Sequence, residues 1–164
     1  MFFDQIKIDI DYNDLIKTDE IVNGYFYLIQ YEPILQQSFK VGFDRLPVIY
    51  CVEPDDRNIN NFWAVNFHYF IPKVQEYIID RMIKFYQITE GESKRVIIPP
   101  KELKSIYTNI QLGYKCYHRK GVRQSYQIKN SAILKYLQVS PEFFIKTQQT
   151  VENELNLSNG NKGF

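Results

Sequence analysis

The sequence predicts an α+β domain: a small antiparallel β-meander or partly open barrel, with helices packed on one of its faces. Three observations predict it. Aromatic and β-branched runs lie at Gly24–Pro33, Phe43–Tyr50 and Phe62–Pro72, rich in Tyr, Phe, Val and Ile. Turn formers separate them: Pro33, Gly42, Pro47 and the polar stretch Glu53-Pro-Asp-Asp-Arg-Asn-Ile-Asn-Asn61. Directly after Pro72 the apolar spacing lengthens from two residues to three or four, the change from strand to helix.

Along the chain, Ile6, Ile8 and Ile10 alternate with polar residues, which predicts a short strand or an extended N-terminal arm over residues 1–12. Asp14 to Val22 reads as a brief helix stopped by Asn23-Gly24. Strands follow at about 25–31, 47–53 and 62–69. From Pro72, at an N-terminal helix position, Val74, Tyr77, Ile78, Met82, Phe85 and Tyr86 form one apolar stripe that ends before Gly91. Arg95–Ile98 is a short strand candidate, and Pro99-Pro100 leads into a helix over Lys101–Tyr107. Gly113 to Ile128 carries a weaker pattern, with a strand over Val122–Ile128. Ser131–Leu137 reads as helical, and Ser140-Pro141-Glu142 opens a last helix over Glu142–Gln148. The tail, residues 151–164, is polar and predicts a mobile segment. The organisation is one domain over residues 1–150, without internal repeats.

A chain of 164 residues that is 45% hydrophobic supports a single substantial core. No apolar run approaches the ~20 residues that cross a bilayer, so no membrane partner is expected. The start lacks a basic leader and carries early acids, which argues against a secretory signal. Two cysteines, Cys51 and Cys116, are too few for a disulfide framework and fit a reducing cytoplasm. Net charge is +1, but residues 1–80 carry 6 basic against 13 acidic side chains, and residues 81–130 carry 11 against 3. That polarity suits contacts between copies of the chain or with a phosphate backbone; the plain alternative is that folding interleaves the two signs.

Enzyme chemistry finds little support. There is no G-x-x-x-x-G-K-[ST], no G-x-G-x-x-G and no G-x-S-x-G among the seven glycines. Cys51, His68, Cys116 and His118 equal in number the ligands of a structural zinc, yet their spacing matches no established zinc pattern. A Cys/His zinc protein is therefore the least of the readings, and no cofactor or metal is expected. Asp55 and Asp56 sit in an Asn-rich turn, without EF-hand spacing.

Two constellations remain. On a continuous strand Asn66, His68 and Phe70 share one face. His68 is then either a satisfied histidine bonded to a loop carbonyl, or part of an Asn66–His68 polar pair that fixes the strand against the following helix or contacts a neighbouring subunit. The segment Lys115–Tyr126 interleaves Lys115, Arg119, Lys120 and Arg123 with Tyr117 and Tyr126. Cations bind phosphates and rings stack bases, so these residues, with Tyr117, are candidates for nucleic-acid contact. A charged hairpin face with its tyrosines turned inward explains the same letters.

Gly24-x-x-Tyr27-x-x-x-Tyr31-x-Pro33, Asp44-x-x-Pro47, and Asn66-x-His68-Tyr69 ahead of a Pro72-led helix with Arg81 together resemble a small tailed-bacteriophage protein family. Cys116-Tyr-His-Arg-Lys-Gly-Val-Arg-Gln-Ser125 is similar to a later block of that family, a Tyr followed by Val-Arg-Ser. The likeness runs in order over residues 24–128. It departs at Ala64 (glycine in the family), at one extra residue before Pro72, and at Gln124 within Val-Arg-Ser. Members are described as phage structural proteins or DNA end protectors. The resemblance implies a non-enzymatic virion component, assembled in the host cytoplasm, at the head–tail junction or tail completion region. Its expected partners are other virion proteins, in a homo-oligomer or ring, with DNA contact at the packaged genome end as the alternative.

Overall fold

The computed structural model describes residues 11–32, 46–89, 91 and 93–137. Six strands, β1 Leu15–Thr18, β2 Phe26–Tyr31, β3 Val48–Pro54, β4 Asn61–Asn66, β5 Tyr114–His118 and β6 Val122–Ile128, form one sheet. Its order is β1-β6-β2-β3-β4-β5, and every neighbouring pair is antiparallel. Among the described residues three helices, α1 Pro72–Tyr86, α2 Pro100–Ile106 and α3 Ile133–Leu137, join the sheet in an α+β architecture. None is long and apolar enough to cross a membrane.

The sheet is open but cannot be flat. In ladder order β5 and β6 stand four strand steps apart, roughly 19 Å on a plane. Only Arg119–Gly121 links them, and four Cα steps reach at most about 14 Å. The sheet therefore curls. Side chains on one face confirm it: the Tyr31 ring of β2 meets the Tyr117 ring of β5 edge-on at 5.0 Å, across two intervening strands. That concave face holds Tyr27, Ile29, Ile49, Cys51, Phe62 and Ala64, all buried.

Strand alternation sends the other residues outward. Phe26, Leu28, Val48, Tyr50, Val52 and Val65 pack under Ile78, Ile79 and Met82 of α1, Leu103 and Ile106 of α2, and Ile133 and Leu137 of α3. Among the described residues the helices thus pack on one face of the sheet, the convex one, as predicted. Buried tyrosine hydroxyls fasten irregular backbone to this frame. Tyr50 donates to the Val96 carbonyl and accepts from the Ile98 amide, while Tyr27 accepts from the Val22 amide at 2.9 Å. Gly24 lies at φ +93°, and a Cβ there would come within 2.8 Å of the Arg95 side chain, so the crossing of these two segments needs glycine.

Four local readings change. The segment read as a helix over 14–22 contains strand β1, because pairing of Leu15–Thr18 with Ile128–Ser125 of β6 buries Leu15 and outweighs a weak local helical pattern. The strand expected over 62–69 ends at Asn66 and turns through a 3-10 segment, Phe67–Tyr69. Arg95–Ile98 runs irregularly beside Gly24, joined by the Val96 amide on the Gly24 carbonyl. β5, within the stretch of weak pattern, is a full member of the sheet. The N-terminal alternation at Ile6–Ile10, the last helix over 142–148 and the polar tail lie outside the described residues.

Candidate functional site

Asn66 and His68 form a corner. Where β4 ends, the Asn66 side-chain oxygen accepts the His68 amide at 2.9 Å and caps the 3-10 turn. From α1, the Gln75 amide donates to the Phe67 carbonyl at 2.8 Å, which ties the same turn to the helix. Both Asn66 and His68 are 1% exposed. The pair is thus internal to the chain, joining strand to helix, and the turn removes the shared strand face that an interface contact required. Gly113 packs over it so closely that a Cβ would approach the Asn66 carbonyl to 2.7 Å.

The basic segment is split by the fold. Arg119, Lys120 and Arg123 are exposed around the β5–β6 turn. Arg119 donates to the Ile21 carbonyl at 3.1 Å and lays its guanidinium 5.3 Å from the Phe62 ring centre. Arg123 pairs with Glu32 at 3.4 Å, both side chains more than half exposed. Lys115, half-buried on β5, sits 4.5 Å from the Tyr69 ring centre. Tyr117 corrects the sequence expectation: it is 6% exposed and packed between Tyr31 and Phe62, so it offers no ring to a base. Its position opposite Phe62 in the ladder points it into the concave face.

A groove of about 800 Å³ opens beside that turn. Lys17, Arg119 and Arg123 line it together with Asp19 and Glu20. Acids of the first half and bases of the second half thus meet in one cleft. Here folding interleaves the signs, and the polarity along the sequence is not a polarity of this surface.

Cys51 and Cys116 cannot act together. Cys51 pairs with Ala64 on the concave face, and Cys116 pairs with Trp63, of opposite parity, and is exposed. Burial pushes the Cys51 thiol up to about 12. The His118 ring nitrogen Nδ1 lies 2.6 Å from the Asn61 side-chain oxygen. Among the described residues no three His, Cys, Asp or Glu side chains gather as a metal ion requires.

The helix stripe read from spacing contains two residues that face water. Tyr77 and Phe85 are 48% and 55% exposed, and Arg81 lies between them, its guanidinium carbon 5.4 and 5.0 Å from their ring centres. Arg81 also donates to the Ser105 carbonyl of α2 at 3.4 Å. Positions i, i+4 and i+8 of one helix stand in a row, so Tyr77-x-x-x-Arg81-x-x-x-Phe85 was the available signal. The result is a half-exposed aromatic–arginine ridge on solvent. No family model, curated protein or solved structure matches this chain.

Proposed function

We propose that this protein is a non-enzymatic structural component of a tailed-phage particle, at the head–tail junction or tail completion region, and that it works by docking. The observation that carries the docking is the ridge on α1. Tyr, Phe and Arg are the side chains enriched at the centres of protein interfaces, and here the rings already hold the cation in place. The partner is a second copy of the chain. The β3–β4 loop supplies a complementary surface: it carries Ile59, 85% exposed, and the acidic Asp55 and Asp56, against Arg81 in the ridge and Lys84 next to Phe85. Loop and helix are different surfaces, so the contact is head-to-tail and can close a ring. The phage assignment rests on the resemblance over residues 24–128.

Sedimentation of the purified chain tests the docking. Assembly that grows with concentration, and that is lost in Tyr77→Ser/Phe85→Ser and in Asp55→Lys/Asp56→Lys, is expected. A monomer at all concentrations overturns the self-docking. Mass spectrometry of particles from the phage that encodes the chain tests the rest, with absence from the particles as the overturning result.

One observation favours a second reading, a protein that holds the packaged DNA end: Arg119, Lys120 and Arg123 are exposed around a single turn. Binding to labelled linear and circular DNA at two salt concentrations decides it. End-preferring binding should lose about one unit of log–log salt slope for each phosphate contact removed by mutation.

A further inference from the structure

On the convex side of the sheet, a groove of about 520 Å³ is lined by Glu53, Trp63, Pro99, Pro100, Lys101 and Tyr114, none of them a residue of the α1 ridge. Its construction follows from the ladder. Glu53 of β3 stands opposite Trp63 of β4, and Tyr114 of β5 lies diagonal to Trp63. The indole and phenol rings stack at 5.0 Å, within 10° of parallel. The start of α2, Pro99-Pro100, makes a rigid apolar wall.

One charge is fixed inside this apolar slot. The Tyr114 hydroxyl donates to Glu53 Oε1 at 2.5 Å. Burial and the neighbouring carboxylate push the phenol upward, so it keeps its proton and continues to donate. Lys101 on the rim is exposed and makes no ion pair with Glu53 among the described residues. An aromatic platform beside an oriented carboxylate selects a flat cation: a guanidinium is weakly hydrated, stacks on indole, and donates in-plane to a carboxylate. The chain uses the same chemistry internally at Arg81 on Tyr77 and Phe85 and at Arg119 on Phe62.

We infer that the Trp63–Tyr114–Glu53 groove is a binding site for an arginine side chain presented by a partner polypeptide. The guanidinium lies against the indole and bonds Glu53, and the residues flanking the arginine fill the remainder of the slot against Pro99 and Pro100. The inference rests on this groove alone and stands or falls separately from the α1 ridge.

Trp63 is the sole tryptophan, so its fluorescence reports the site directly. The full chain is titrated with N-acetylarginine amide, its neutral citrulline counterpart, triproline, and a heptapeptide with one central arginine. The arginine amide should give a saturable change at about millimolar concentration. Citrulline should bind roughly tenfold more weakly, the cost of losing one charged hydrogen bond. The heptapeptide should bind more tightly than the amide. Glu53→Gln keeps an oxygen for Tyr114 and should weaken the arginine amide by a similar factor, with an unchanged melting curve; Lys101→Ala should strengthen it. Equal responses to arginine and citrulline, preference for triproline, or indifference to Glu53→Gln would each overturn the assignment. A heptapeptide no tighter than the amide would overturn the polypeptide source.

Discussion

Arg119 on the β5–β6 turn and Arg81 on α1 make the same two contacts and do different things with them. Each holds its guanidinium 5.0–5.4 Å from an aromatic ring centre, and each donates to a backbone carbonyl, Ile21 for Arg119 and Ser105 for Arg81. The rings differ. Phe62 under Arg119 is fully buried, whereas Tyr77 and Phe85 around Arg81 are about half exposed. Over a buried ring the arginine closes the mouth of a core. Between exposed rings it organises a surface that a partner can bury. A cation–ring contact therefore says little by itself; the burial of the ring decides whether it belongs to folding or to recognition.

The sharpest way to break this comparison is to remove the rings. Phe62→Ala deletes a fully buried side chain and should cost about 3–5 kcal/mol in urea unfolding. Phe85→Ala removes a ring from the surface and should stay within about 0.5 kcal/mol. Similar losses for the two would mean that the α1 ridge is structural, and the docking proposal would lose its carrier.

Alkali probes the buried residues on both faces of the sheet as a group, Tyr27 and Cys51 on the concave face and Tyr50 on the convex one. Burial pushes Tyr27 from 10.0 up to about 12 and Cys51 from 9.0 up to about 12, and Tyr50 rises for the same reason. These groups ionise more readily in the unfolded chain. Their contribution is complete below about pH 9 and drains away as pH climbs through the window to about 12. The urea midpoint should fall across that window, and Tyr27→Phe should flatten the fall. A midpoint independent of pH up to 11 would show that water reaches the concave face.

The β4 corner comes next in size. Asn66→Ala leaves the His68 amide without its buried acceptor and should cost about 1–3 kcal/mol. His68→Ala should also lower the melting temperature of the isolated chain, since the ring is 1% exposed. An unchanged melt would show that the buried ring adds nothing to the stability of this corner.

What the sequence made legible follows the strength of local pattern. β2, β3, β4, β6 and α1 are dense in β-branched and aromatic residues or in helical spacing, and their positions came out within a few residues. β1 and β5 did not, because Leu15–Thr18 and Tyr114–His118 are strands only through the partners they pair with. Which way a single side chain faces is harder to read than the element that carries it. Tyr117 reads as a base-stacking ring among cations, but one ladder position turns it inward while Cys116 beside it faces out. Tyr77 and Phe85 passed for core because their spacing nearly fits the stripe of Ile78, Ile79 and Met82; a shift of one residue around a helix is enough to reach water. The Trp63 groove was hidden for a different reason: Glu53, Pro99 and Tyr114 are distant in sequence, and only the curled sheet brings them together.

The smallest effect is the most direct test of the two arginines. Arg119→Ala removes a charged hydrogen bond to Ile21 and uncovers part of the Phe62 ring, at a cost of roughly 1 kcal/mol after solvent screening at an exposed site. Arg81→Ala gives up a longer bond, 3.4 Å, and contacts to rings already in water, and should stay within about 0.5 kcal/mol. In sedimentation the order should reverse: Arg81→Ala should weaken assembly of the chain, and Arg119→Ala should leave it intact. Lysine at each position separates charge from shape. It keeps the cation but loses the flat face that stacks, so Arg81→Lys should recover only part of the assembly. If Arg81→Lys restores it fully, the ridge supplies a charge alone and its aromatic rings are not anchors.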